Sequence, residues 1–313
     1  MPDNAFNVIA TRHGTEAQRA ELADRIIRNA PQPGVHACAV PDLALIRADE
    51  PSQPLACVYH PSLCVVVQGR KQAMLGEDLY HYDPLHYLVV SMSVPVTGQV
   101  IEASPERPYL CLRIDIDTQA VAELVTQLAA SPPPAQENGR ALYLARTDAS
   151  LLDAILRLVR LLDAPDEAPV LAPLVLREIH YRVLSGELGA RLQALCHVDG
   201  AAHRIARAIE LLKAHYTEPL RIEQIAAAAH MSPSTLHQRF KVATAMTPLQ
   251  FQKQLRLQEA RRLMLMEGVE AAAAAHRVGY ESPSQFSREY RRLFGAPPRR
   301  EVQAALQNGA AMA

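Results

Sequence analysis

The feature that most constrains this chain is a repeat inside its last hundred residues. Ser232-Pro-Ser-Thr-Leu-His-Gln-Arg-Phe-Lys241 recurs further on as Ser282-Pro-Ser-Gln-Phe-Ser-Arg-Glu-Tyr-Arg291. Upstream, Ala226-Ala-Ala-Ala-His-Met231 matches Ala275-His-Arg-Val-Gly-Tyr280, with Glu281 as one extra turn residue in the second copy. Each copy reads as helix, tight turn, helix. A Ser followed by Pro predicts an N-cap and then the first helical position, where a missing amide hydrogen costs nothing. Gln285 then predicts a capping box in the second copy, which Thr235 does not offer in the first. His230 and Gly279 fall in the turns, where positive φ is often needed; Gly adopts it freely and His more readily than bulkier residues.

Within the second helix of each copy, Leu236 and Phe240, or Phe286, Tyr290 and Leu293, recur at the spacing of an inward face. The opposite face presents Ser234, His237, Gln238 and Lys241 in the first copy, and Ser284, Ser287, Arg288 and Arg291 in the second, with Arg292 beside them. Hydroxyls, an amide, an imidazole and basic groups are the chemistry that hydrogen-bonds base edges and phosphates in a major groove. One such face alone reads best as solvated surface; two sharing turn, cap and core spacing read as a reader of double-stranded DNA. Arg288, which can grip guanine O6 and N7 bidentately, is the first choice for a base contact, followed by His237 and Gln238. Lys241, Arg291 and Arg292 fit phosphates.

Between the copies, Thr247-Pro-Leu-Gln250 predicts another capped helix, running to a stop near Gly268. About nineteen residues at ~1.5 Å each give roughly 28 Å of rigid spacer. That is near the ~34 Å between successive major grooves on one side of a duplex, so slight bending would let one chain engage both. Charge agrees. From residue 199 onward sixteen Lys and Arg face ten Asp and Glu, although the whole 313-residue chain balances 32 against 33. A basic segment joined to an acidic one suggests that only the former meets a polyanion.

The front half has a different texture. Leu43–Arg47, Leu63–Gln68, Tyr87–Val90 and Leu110–Ile114 predict short strands punctuated by Pro and Gly, as in a sandwich or small barrel. Helical spacing follows at Val121–Leu128, Leu151–Leu162 and Leu171–Leu184, the last with Leu174, Val175, Ile179 and Val183 as its apolar positions. A Pro-rich break at Ser131–Pro134 separates the first two, and a short helix around Ala17–Ile27 is expected in the lead-in. No run approaches the ~18 apolar residues of a membrane helix, and the start of the chain lacks a secretory pattern. Five widely spaced cysteines, none in CxxC, suggest reduced thiols and a cytoplasmic protein.

Other chemistry is thin. His36, His60, His81 and His86 raise a cupin-type metal enzyme with a fused DNA-binding domain as the rival reading. His81-Tyr-Asp-Pro-Leu-His86 lacks the compact HxH-plus-carboxylate spacing such a site needs, so neither metal nor cofactor is expected. No nucleophile elbow, Walker loop or dinucleotide fingerprint occurs. Cys57 and Cys64 flank Tyr59–His60 on strands expected to adjoin, where an imidazole can favour a reactive thiolate; small apolar core cysteines are the commoner outcome.

Over about Ile205–Arg300 the sequence resembles the AraC family of transcriptional regulators. The segments that carry the resemblance are Ala226 to Lys241, Pro248-Leu-Gln-Phe251, Leu257-Gln-Glu-Ala260-Arg-Arg-Leu263, and Val278-Gly-Tyr-Glu-Ser with Phe286-Ser-Arg288 and Phe294-Gly-Ala-Pro297-Pro298. It implies seven helices carrying two helix-turn-helix units that read promoter DNA beside RNA polymerase. Pro61 to Lys71, Tyr87 to Ser91 and Ala103 to Leu110 resemble the N-terminal domain of one branch, implying a cupin-like barrel that senses a small-molecule effector and helices that can form a homodimer. His230 and the small Ser234 depart from the family pattern in the first unit. The expected architecture is therefore α+β: a lead-in over 1–30, a cupin-like β-barrel with flanking helices over 31–192, a linker over 193–203, an all-α DNA-binding domain of two helix-turn-helix units joined by a linker helix over 204–302, and a tail over 303–313.

Overall fold

The computed structural model describes residues 3–128, 139–196 and 200–307. A long helix, α1 (Asp3–Asn29), leads into ten strands among the described residues. Six form one antiparallel sheet: β1 (Gly34–Ala37), β2 (Leu43–Ala48), β4 (Ser62–Gln68), β7 (His86–Val90), β9 (Tyr109–Asp115) and β10 (Leu142–Arg146). Their order across the sheet is β1-β2-β9-β4-β7-β10. The other four, β3 (Leu55–Tyr59), β5 (Arg70–Leu75), β6 (Asp78–Tyr82) and β8 (Val94–Glu102), make a second sheet in the order β3-β8-β5-β6. The β-rich half is thus two facing sheets rather than a closed barrel, with the cupin-like character retained.

Strand β4 shows why the larger sheet lies in the middle of a layered structure. Its first six residues are all buried, as expected of a strand covered on both faces. Leu63, Val65 and Val67 turn outward into a core shared with helices, whereas Cys64 and Val66 turn into the space between the sheets. The outer helical cover comprises α1, α2 (Thr118–Gln127), α3 (Ala149–Arg160), α4 (Ala168–Ser185) and α5 (Gly189–Cys196). Asp148 caps α3, accepting from the Leu151 amide, and Leu151, Leu152, Ile155, Leu158 and Val159 are buried.

Helix α1 is longer than the segment expected around Ala17–Ile27. Leu22, Ile26 and Ala30 are fully buried, and Arg160 grips Glu21 through two nitrogens at 2.9 and 2.8 Å. The Glu21 carboxyl is held at about 2, chiefly by that Arg160 contact. Helix α4 corrects a second expectation: Leu174 is 61% exposed, and the buried face is Ala172, Leu176, Ile179 and Val183. The expected break at Ser131–Pro134 lies outside the described residues.

The C-terminal half contains seven helices among the described residues: α6 (Ala201–Ala214), α7 (Ile222–Ala228), α8 (Pro233–Thr244), α9 (Pro248–Met266), α10 (Ala271–Arg277), α11 (Pro283–Phe294) and α12 (Pro298–Gln307). Helix α9 starts with the expected capping box between Thr247 and Gln250. Its residue Phe251 packs edge-on against Phe240 of α8, with ring centroids 5.3 Å apart. Both rings are fully buried, in a cluster that also takes in Ile205, Ile209 and Leu236. Removing the Phe240 ring leaves a cavity between α8 and α9, so Phe240→Ala is expected to cost about 3–5 kcal/mol. Chemical denaturation followed by far-UV circular dichroism measures this, and a loss below about 1 kcal/mol would contradict the packing described.

Candidate nucleic-acid interface

Each helix-turn-helix unit is built on the same backbone device. In the first, between α7 and α8, the Met231 amide donates to the Ala226 carbonyl at 2.9 Å and the His230 amide to Ala227 at 3.0 Å. In the second, between α10 and α11, Tyr280 donates to Ala275 at 2.9 Å and Gly279 to His276 at 3.0 Å. These are the paired bonds of a Schellman ending, which requires a left-handed residue after the helix. His230 (φ 50°) and Gly279 (φ 86°) supply it. Ser232 and Ser282 then cap the following helices, accepting from the Thr235 and Gln285 amides. The second cap is not the expected box, because the Gln285 side chain turns along α11 to donate to Glu289 at 3.2 Å.

The two recognition helices bury Leu236 and Phe240, and Phe286 and Tyr290, while Leu293 is half-buried. Ser234, His237, Gln238 and Lys241 are exposed on α8; Ser284, Arg288, Arg291 and Arg292 are exposed on α11, with Ser287 half-buried. Ser234 Oγ lies 3.1 Å from Ser232 Oγ. No side-chain hydrogen bond or ion pair to another described residue engages His237, Gln238, Lys241, Arg288, Arg291 or Arg292. Their polar ends are therefore available to a partner.

What holds the two faces in a fixed relation was not legible as a motif. The Arg256 guanidinium on α9 donates to the carbonyls of Tyr216, Glu218 and Gly279, and Gln252 adds bonds to Tyr216 and Glu218 at 3.1 and 2.6 Å. One helix face thereby ties the loop ahead of the first unit to the turn of the second. The fit at that turn is tight: a methyl group on Gly279 would stand 2.2 Å from the Thr217 carbonyl oxygen. Nearby, Glu289 accepts from Tyr280 at 2.7 Å and from Lys253 at 3.0 Å. Burial works to raise the Glu289 carboxyl, but these bonds and the one from Gln285 outweigh it and hold it below the usual range. Tyr290 and Arg261 meet on Glu301, joining α11, α9 and α12.

The β-rich half touches this reader directly. The Ala141 amide donates to the Ala243 carbonyl at 3.0 Å, and Arg140 pairs with Asp78 at 2.7 Å while donating to the Val242 carbonyl at 2.9 Å. The C-terminal end of α8 is thus clasped, leaving its N-terminal turns outward. Lys213 on α6 donates to Ser93 at 3.1 Å, and α9 and α11 both lie along β3.

Among the described residues no three His, Cys, Asp or Glu side chains gather as a metal site. His36, His60 and His86 are taken up separately by Gln32, Ser93 and Asp83, and His81 is exposed. Cys57 and Cys64 lie on strands of different sheets, not adjoining ones. Burial pushes both thiols up, away from thiolate reactivity, and pulls His60 toward the neutral imidazole.

Gly279→Ala combines the carbonyl clash with a left-handed backbone and is expected to cost on the order of 1–3 kcal/mol. His230→Gly, at the matching position of the first unit, should stay within about 1 kcal/mol of the parent. Paired thermal melts test this asymmetry, and equal effects at the two turns would refute it.

Residues 39–191 match the family described as AraC-type transcriptional regulator N-terminus, and residues 225–303 match a helix-turn-helix domain. The HTH-type transcriptional activator RhaS of Escherichia coli O1:K1 is 27% identical over 167 residues, covering 53% of this chain and 59% of that protein. RhaS of Citrobacter koseri is 34% identical over 105 residues, covering 33% of this chain and 38% of that protein. This chain therefore spans about three-fifths or less of the length of these relatives. Among solved structures, ToxT from Vibrio cholerae strain SCE256, crystallised with an unsaturated fatty acid, superposes with a TM-score of 0.56 at 13% identity, covering 83% of this chain and 94% of that one. The likeness shows a shared fold. With both halves matched in order along one chain, the protein belongs to the AraC family of transcriptional regulators.

Proposed function

We propose that this chain is a sequence-specific DNA-binding transcriptional regulator that responds to a small-molecule effector and carries out no catalytic step. The observation that carries the reading is a pair of exposed polar helix faces whose basic, imidazole and amide groups at His237, Gln238, Lys241, Arg288, Arg291 and Arg292 have no side-chain partner among the described residues, tied to one rigid spacer through Arg256. Helices α8 and α11 enter successive major grooves of promoter DNA. Arg288, His237 and Gln238 touch base edges with help from Ser234, Ser284 and Ser287; Lys241, Arg291 and Arg292 meet phosphates. The domain boundaries follow the division at 31–192, 193–203 and 204–302.

The effector occupies the β-rich half and acts through the clasp on α8. Its occupancy changes DNA binding to the extent that it favours one arrangement of that contact over another. RNA polymerase is the expected protein partner in the cytoplasm. A second copy of the chain fits the same reading, because α4 leaves Val170, Leu174 and Tyr181 exposed at i, i+4 and i+11.

Arg288→Ala is expected to weaken binding to a selected duplex by about 1–3 kcal/mol and to relax preference at one base position. Lys241→Ala should instead weaken all sequences alike and lower the salt slope by about 1. Fluorescence anisotropy at several salt concentrations, with binding-site selection for each variant, separates the two roles. An unchanged site preference in Arg288→Ala would overturn the base-contact assignment, and binding indifferent to both changes would overturn the reading itself. Arg140→Ala, which opens the clasp without touching the outward face of α8, should change the effector's influence on DNA affinity more than the affinity of the effector-free protein.

A further inference from the structure

The internal repeat reaches one helix further upstream than its turns and caps. Arg204-Ile205 and Ala208 on α6 correspond in register to Arg256-Leu257 and Ala260 on α9, and Leu211-Leu212 to Leu263-Met264. Burial follows the same register. Ile205, Ala208 and Leu212 lie in the cluster that takes in Leu236 and Phe240, and Leu257, Ala260 and Met264 lie in the one that takes in Phe286 and Tyr290. Each unit is therefore three helices, α6 to α8 and α9 to α11, with an arginine at the same place on the leading helix.

The two arginines make the same bond. Arg256 Nη1 donates to the Gly279 carbonyl at 2.9 Å, and Arg204 Nη1 donates to the His230 carbonyl at 3.1 Å. Gly279 and His230 are the left-handed residues of the two turns. No carboxylate among the described residues pairs with Arg204, so the turn carbonyl is the acceptor that fixes its guanidinium. The first turn has more need of such a hold, because a residue with a Cβ is strained in the left-handed region where glycine is not. The His230 carbonyl belongs to the peptide that leads into Met231 and then Ser232, the N-cap of α8. Its orientation sets the direction in which α8 leaves the turn, and Ser234, His237 and Gln238 follow on the first turns of that helix. The bond itself is exposed to solvent, whereas Leu236 and Phe240 of the same unit are fully buried. It therefore fixes a direction more than it stabilises the fold.

We propose that Arg204 is a positioning residue for DNA reading by the first unit: by holding the His230 carbonyl it sets the angle at which α8 meets the major groove, without touching DNA itself. The inference rests on the reading of α8 as a recognition helix. An exposed hydrogen bond contributes little to global stability, but a recognition helix held in its bound orientation loses less on binding than one that must be ordered first.

The test uses the full chain and the duplex that the parent selects. Arg204→Met keeps the apolar stem and removes the donors; Arg204→Lys keeps a donor. Arg204→Met should weaken binding roughly 3- to 10-fold, the worth of about one hydrogen bond. Hydroxyl-radical footprinting should confine the loss to the half-site that His237→Ala also weakens, leaving the half read through Arg288 as in the parent. Arg204→Lys should recover most of the affinity. When Arg204→Met is combined with His237→Ala, the fold-loss should be smaller than the product of the two single losses, because both act through α8. The salt slope should stay that of the parent, since a residue off the DNA releases no counterion. In the free protein, Arg204→Met should melt within about 3 °C of the parent, while the Met231 amide, which donates to Ala226 across the turn, exchanges faster. Undiminished binding in Arg204→Met or a loss spread evenly over both half-sites would overturn the proposal. So would a salt slope lowered by about 1, which would make Arg204 a phosphate contact. A parent that selects no duplex would overturn the DNA reading instead, and exchange at Met231 would then decide the hold on the turn by itself.

Discussion

The arrangement of the reader depends on a fan of hydrogen bonds from one helix face. Arg256 and Gln252 on α9 reach the carbonyls of Tyr216 and Glu218, and Arg256 continues to Gly279. Backbone carbonyls at loops and helix ends need partners when water is excluded. By satisfying them from the spacer, the chain couples the loop before the first unit to the turn of the second. Two short helix pairs that would otherwise swing about their connections are thereby held in one orientation, and Gly279 allows the approach that makes the fan possible. Without that fixed stride, two exposed polar helices would be two weak binders rather than one reader with a defined spacing.

Much of the reader was visible in the sequence because its determinants are local. Ser232, Thr247 and Ser282, each followed by Pro, mark helix starts through hydrogen bonds made within three residues. The inward faces follow from helical periodicity alone. Arg256 was not visible, because a charged residue on a helix reads as solvated surface unless the loop that folds over it is known. Gln285 misled for a related reason: the local capping box competes with Glu289 on the next turn, itself positioned by Tyr280 and Lys253.

The β-rich half was legible where strands are covered on both sides and missed where they are not. The four expected strands became β2, β4, β7 and β9, all in the larger sheet beneath helices. The smaller sheet has one face toward water, so β5 alternates exposed Arg70 and half-exposed Gln72 with Ala73 and Leu75, and short mixed runs of this kind resemble loop. Helix α1 was expected only around Ala17–Ile27, the stretch in which Leu22 and Ile26 mark a buried apolar face.

Strand β3 connects the β-rich half to the reader. Tyr59 on this strand has its hydroxyl buried without a hydrogen-bond partner among the described residues, and the same strand lies against α9 and α11, the spacer and the second recognition helix. The clasp at Arg140 and Ala141 holds the end of α8, the first recognition helix. Strand β3 is therefore in contact with the second unit, while the larger sheet, through the residues preceding β10, holds the first. Packed interiors shift between discrete arrangements rather than deforming smoothly. Because α9 ties both units together, a displacement of β3 acts on the reader as a whole, changing its presentation to DNA instead of loosening one helix. On the proposed effector reading, such coupling needs no long relay: it requires only that two arrangements of the sandwich differ in how well they fit the same rigid spacer.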